Sequence, residues 1–103
     1  MGRGHDAVVE VTMQRDIVNG YRPQHRVLPD YQTSGEIELI DRASLRAGES
    51  ALARIWYLSP EAYPKSLWVG KAIDVCEGSR VVGSTRVVEV CNPVLLGVSE
   101  AKG

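Results

Sequence analysis

The chain has 103 residues, 44% of them apolar, the size and composition of one ordinary packed domain. Twelve Lys and Arg stand against thirteen Asp and Glu, for a net charge of −1 with His neutral. That balance excludes strong sequence-blind attraction to nucleic acid through the whole-molecule field and leaves only local contacts.

No run approaches the roughly 20 apolar residues that cross a bilayer. The opening "MGRGHD" is too polar for a signal h-region and lacks the Ser or Thr of a myristoylation motif at its sixth position. The expectation is a soluble cytoplasmic protein with no membrane partner. Cys76 and Cys91 are the only cysteines. If the segments carrying them form a hairpin, they lie too far apart for the 5.5–6 Å typical of bonded Cα atoms, so no disulfide is expected.

The dominant period is two. Residues 1–6 read as a mobile N-terminus, and Ala7, Val9, Val11 and Met13 then alternate with their neighbours as a strand over about residues 7 to 14. After the Asn19-Gly20 turn pair, Tyr21 to Leu28 extends as a second strand. Pro23 confines its start to an edge, since proline cannot donate to a ladder. Pro29-Asp30 breaks it, and a short third strand from Glu36 to Ile40 puts Ile37 and Leu39 on one face.

Asp41 to Ser50 reads as a structured loop that Gly48 keeps from becoming a helix. Ala51 to Leu58, "ALARIWYL", suits a buried strand. "SPEAYPKS", with two prolines, is a long connection. Leu67 to Cys76 and Arg80 to Val90 form the strongest hairpin, turning at Glu77-Gly78-Ser79. Pro93 cuts off the last strand, and the tail 92–103 is ordered only where Val94, Leu95 and Leu96 reach a core edge. Six short strands without a convincing helix point to an all-β antiparallel sandwich or a small closed barrel over residues 7–91, the barrel having the merit of hiding the edges.

Four pieces in this order, "GYRPQ" at Gly20 to Gln24, "SGEIEL", "AGE" and "EGSRVVGS", resemble the C-terminal, third domain of bacterial translation elongation factor Tu. The likeness runs from about Ala7 to Val90 and implies a six-stranded antiparallel closed β-barrel. It also implies a surface touching the T-stem side of aminoacyl-tRNA, at positions corresponding to Gln24, Ser34, Ser59, Glu77 and Gly78, with Arg22 and Arg80 nearby. Ser34 replaces a threonine and keeps its hydroxyl, whereas Ser59 stands where a lysine is frequent. Such contacts reach phosphates and 2′-hydroxyls and recognise shape. No G-x-x-x-x-G-K-[ST] loop occurs, so no nucleotide, GTP hydrolysis or cofactor is expected of the chain. The loop Arg15 to Val18 is shorter than the family's, and "SPEAYPKSLW" is longer.

Each motif also has a purely structural reading. Pro23 sets the entry angle of a strand while Arg22 pairs with a neighbouring carboxylate, and Gly78 supplies the positive φ of a plain hairpin turn. Trp56, Trp68, Tyr57 and Tyr63 read mainly as core, with Trp68 and Tyr63 the better candidates for exposure. His5 and His25 lack ligand-spaced neighbours, and paired carboxylates such as Glu36 or Glu38 with Asp74 are the remaining acid-base idea. The expectation is a non-catalytic module binding tRNA, other structured RNA or a translation component. The alternative is a protein-interaction or self-associating barrel covering the face that meets the GTPase domain in the family. Clustering of Arg22, Arg80 and Arg86 on one exposed face, or their dispersal into pairs, discriminates the two.

Overall fold

A computed structural model describes residues 3–98; Met1, Gly2 and residues 99–103, including the end of the expected tail, lie outside the description. The strands are β1 Ala7–Met13, β2 Ile17–Val18, β3 Gln24–Leu28, β4 Tyr31–Leu39, β5 Ser44–Leu45, β6 Ser50–Tyr57, β7 Ala72–Glu77 and β8 Arg80–Val90. Six of them close into a barrel in the order β1-β6-β4-β3-β7-β8, all antiparallel, with β2 and β5 pairing separately. Among the described residues there is no α-helix, and no helix long and apolar enough to cross a membrane.

The alternation seen in sequence becomes inside and outside. Val9, Val11 and Met13 of β1, Ile37 and Leu39 of β4, Ala53, Ile55 and Tyr57 of β6, and Ile73 and Val75 of β7 fill the core. Each large apolar side chain so buried stabilises the fold by about 1.5–3 kcal/mol before entropy is counted. Closure leaves every barrel strand with two partners, so no backbone edge of the barrel stays open.

Several boundaries shift, each for a local reason. The approach to β3 touches the ladder only where Tyr21 bridges Ile37 and where the Pro23 carbonyl accepts from Gly35 N, because Pro23 has no N–H to offer; regular pairing starts at Gln24. β4 begins at Tyr31, five residues before the expected start, because Pro29-Asp30 makes a tight turn that pairs Leu28 with Tyr31 at once. The loop after β4 contributes β5, whose Leu45 faces Ile17 of β2, and both side chains join the core. β7 starts at Ala72 because Gly70, at φ 93°, turns the chain after Trp68. Leu67 instead bridges Leu96 of the tail in parallel, and Leu95 is fully buried while Val94 and Leu96 stay exposed.

Asp6, assigned on sequence to a mobile N-terminus, is fully buried. Its carboxylate accepts from Tyr57 N at 2.7 Å, from Asn92 Nδ2 at 2.9 Å and from the Arg3 guanidinium. Its carbonyl accepts from Cys91 N and Asn92 N. One carboxylate thus ties the segment before β1 to the end of β6 and to the exit from β8, and supplies the charge-assisted bonds that a buried acid needs. Cys76 and Cys91 are free, Cys76 lying next to the hairpin turn and Cys91 beyond the far end of β8.

Candidate binding face

Pairing register brings the middle of the expected site together. Gln24 of β3 lies opposite Ser34 of β4 on one side and Cys76 of β7 on the other. The Ser34 carbonyl accepts from Leu58 N, just past β6, at 2.9 Å. The next outward row holds Glu36, opposite Trp56, and Glu38, opposite Arg54. Arg22 reaches this row and donates to Glu36 Oε1 at 2.9 Å, and Arg54 donates to Glu38 at 3.2 Å.

These residues border an open groove of about 580 Å³, lined by Arg3, Arg22, Ser34, Glu36, Trp56 and Leu58 among others. Trp56 is half-buried and donates its indole N–H to the Arg3 carbonyl at 2.9 Å, while Leu58 is 62% exposed. The cations lining the groove all have anionic partners, Arg3 on Asp6 and Arg22 on Glu36. Its field is therefore that of opposed pairs, and its apolar content is Trp56 and Leu58.

The rest of the expected site spreads around the barrel. Glu77 ends β7 beside β3, and its Oε2 accepts from both Arg15 Nη1 and Tyr21 Oη at 2.6 Å. Burial, then the bond to Glu77, pushes the Tyr21 phenol up to about 12. Gly78 turns the β7–β8 hairpin at φ 64°, and Arg80, directly opposite Glu77, is exposed with no side-chain partner among the described residues. Ser59 follows β6 in the left-handed region at φ 52° and opens a 3₁₀ turn over Pro60–Ala62 without capping it through its side chain. Ser59 thus lies one residue past Leu58, whose N–H meets the Ser34 carbonyl, and Arg80 belongs to the same hairpin turn as Glu77 and Gly78. Arg22, Gln24 and Ser34 are brought together, Ser59 follows Leu58 beside Ser34, and Glu77, Gly78 and Arg80 adjoin them through the β7–β8 hairpin.

The arginines are dispersed, and most of them are paired. Arg15, Arg22, Arg26, Arg42 and Arg54 each meet a carboxylate within 3.5 Å, and Arg86 donates to the Gly70 carbonyl at 2.9 Å. Arg86 lies six positions along β8 from Arg80, about 20 Å at roughly 3.3 Å per residue. The carboxylates proposed as acid-base partners are separated in the same way: Glu36 pairs with Arg22, Glu38 with Arg54 and Asp74 with Arg26. Among the described residues no three His, Cys, Asp or Glu side chains gather as a metal site.

The aromatic expectation divides. Tyr57 is buried as expected, but Tyr63, a candidate for exposure, is buried too, donating its hydroxyl to the Leu58 carbonyl at 2.6 Å. Trp68 is half-buried beneath the Lys71 ammonium, 4.5 Å from its ring centroid. His25 is a core residue: its ring packs edge-on to Tyr57 at 5.4 Å, Nε2 lies 3.0 Å from the Gly35 carbonyl, and Nδ1 has no partner. Desolvation lowers its pKa from 6.5 to about 4. Arg3 and Asp6 escaped the reading by sequence; the i, i+3 spacing of opposite charges just before an apolar alternation was the available signal.

Fold and site together define a closed six-stranded antiparallel β-barrel with a charge-balanced groove on its β3–β4–β6 face. No protein-family model and no curated protein sequence matches the chain.

Proposed function

We propose that this barrel is a non-catalytic binding module whose partner is a protein seated over the β3–β4–β6 face. The observation that carries the reading is the state of the charges: Arg22 and Arg54 are each neutralised by a carboxylate on the same face, which also carries an exposed Leu58 and a half-buried Trp56. Protein interfaces combine aromatic anchors with a paired polar rim in this way. A phosphate backbone requires unpaired cations along its track, and Arg22, Arg80 and Arg86 do not form one. The resemblance of "GYRPQ" and "EGSRVVGS" to the third domain of elongation factor Tu adds support, since it implies a barrel working by contact with other domains and with tRNA.

A tRNA-binding role in translation is the second reading. Arg22, Gln24 and Ser34 standing side by side across β3 and β4 favour it, the amide and hydroxyl suiting 2′-hydroxyl and phosphate contacts. One experiment separates the two. The immobilised protein, its Leu58→Glu variant and its Arg22→Ala variant are exposed to nuclease-treated extract, and in parallel titrated with labelled tRNA over a salt series. A nuclease-resistant protein partner retained by the wild type and lost on Leu58→Glu supports the proposal. Micromolar tRNA binding that weakens steeply with salt and on Arg22→Ala refutes it in favour of the second reading.

A further inference from the structure

The long connection "SPEAYPKSLW" is not absorbed by the β3–β4–β6 face. It builds a second groove, of about 540 Å³, against the end of β3 and the start of β7, and shares no lining residue with the first. Leu28, Pro29, Pro64 and Trp68 form apolar walls. Three cations, Arg26, Lys65 and Lys71, line it against one carboxylate, Asp74, which reaches Arg26 at 3.5 Å. With Arg26 held by Asp74, the exposed Lys65 at the rim supplies the groove's available positive charge.

The Lys71 ammonium and the Lys65 backbone are held in place. Lys71 Nζ donates to the Val27 carbonyl at 2.7 Å and to the Ser66 carbonyl, and lies over the Trp68 ring, so its charge is fixed at the floor. Lys65 adopts φ 60°, a left-handed conformation costly for a side chain with a Cβ, and is locked there by its N–H to the Val94 carbonyl and by close packing of its carbonyl on Gly97. Its exposed ammonium has no partner among the described residues. The buried Ser66 hydroxyl beside it has no hydrogen-bond partner.

We infer that this groove is a docking site for an acidic protein segment, one or two carboxylates flanking an apolar side chain that lies between Pro29, Pro64 and Trp68. Charge complementarity selects the acid, and the proline and tryptophan walls select the apolar anchor. A nucleic acid fits less well, because the Lys71 ammonium covers a face of Trp68 on which a base would stack.

The test uses the ¹⁵N-labelled protein and a blocked pentapeptide alternating Glu with Leu and Phe, its Gln counterpart, and a short oligouridylate. The expected result is that the acidic peptide shifts the amides of residues 26–28 and 65–72 and the Trp68 indole N–H, and binds about three- to fivefold more weakly to Lys65→Gln, as a rim charge pair predicts. The Gln peptide binds more weakly still, and Leu58→Glu, on the other groove, changes nothing, so this site stands or falls apart from the proposed function. Absence of groove shifts at about 1 mM peptide, equal binding of the Gln peptide, or tighter binding of the oligouridylate overturns the inference.

Discussion

Acid should unfold this barrel through His25 before it does so through the carboxylates. The ring is buried against Tyr57 with one nitrogen unpartnered, and its pKa falls from 6.5 to about 4 because burial penalises the cation. In the unfolded chain the ring takes up a proton near pH 6.5, and in the folded barrel only near pH 4. The unfolded state therefore binds more protons throughout that window, and stability falls as pH falls through it. The contribution is complete above about pH 6.5 and levels off below about pH 4. A gap of that width at 1.36 kcal/mol per pH unit is worth about 3 kcal/mol, a large part of the 5–15 kcal/mol of a typical domain. Urea unfolding from pH 7 to 4 on the wild type and on His25→Gln measures it, with only the slope against pH compared because the substitution itself destabilises. The wild type should lose stability between pH 6.5 and 5, above the carboxylate range, and the variant should not. Parallel slopes in the two proteins would refute the assignment.

Three further outcomes follow from the packing. In Gly35→Ala, the new Cβ would stand 2.7 Å from His25 Cδ2 and 2.8 Å from Nε2, so denaturant unfolding should show a loss of about 1–3 kcal/mol; combined with His25→Ala the two losses should be strongly non-additive, and simple additivity would show that the ring yields freely. Asp6→Ala removes a buried carboxylate that holds Tyr57 N, Asn92 and Arg3 together, and calorimetry should record a loss of about 3–5 kcal/mol, whereas less than about 1 kcal/mol would mean that water replaces the acid. Glu77→Gln should lower the Tyr21 pKa from about 12 while leaving it above 10, since burial is the larger cause; a phenolate titration unmoved by the substitution would show that the 2.6 Å bond is not formed in solution.

How much of this was legible beforehand differs from residue to residue. Val9, Val11, Met13, Ile37 and Leu39 declared their inward direction because a strand's side chains alternate with a period of two, and that alternation survives any arrangement of the strands. The β7–β8 hairpin was equally legible, since Gly78 marks its own turn. The early start of β4 was hidden because Tyr31 to Gly35 has weak strand composition, and part of its pairing comes from β6, about twenty residues further on. Arg22, Gln24 and Ser34 were grouped beforehand by resemblance, and the register set by the Pro29-Asp30 turn puts Gln24 opposite Ser34. Ser59 and Arg80 were linked to them only by resemblance, and it is barrel order that sets the end of β6 beside Ser34 and the β7–β8 hairpin beside β3.

The chain by itself therefore determined which residues face the core, that strands dominate, and where the tight turns lie, because these follow from short-range geometry and side-chain chemistry. Tertiary structure alone decided which strands are neighbours, and with that the burial of Asp6 between the end of β6 and the exit from β8, the pairing of Arg22 and Arg54 with carboxylates on one face, and the meeting of "SPEAYPKSLW" with β3 in a second groove. These depend on contacts between residues far apart in sequence, whose distance is set by closure of the barrel and leaves no periodic trace along the chain.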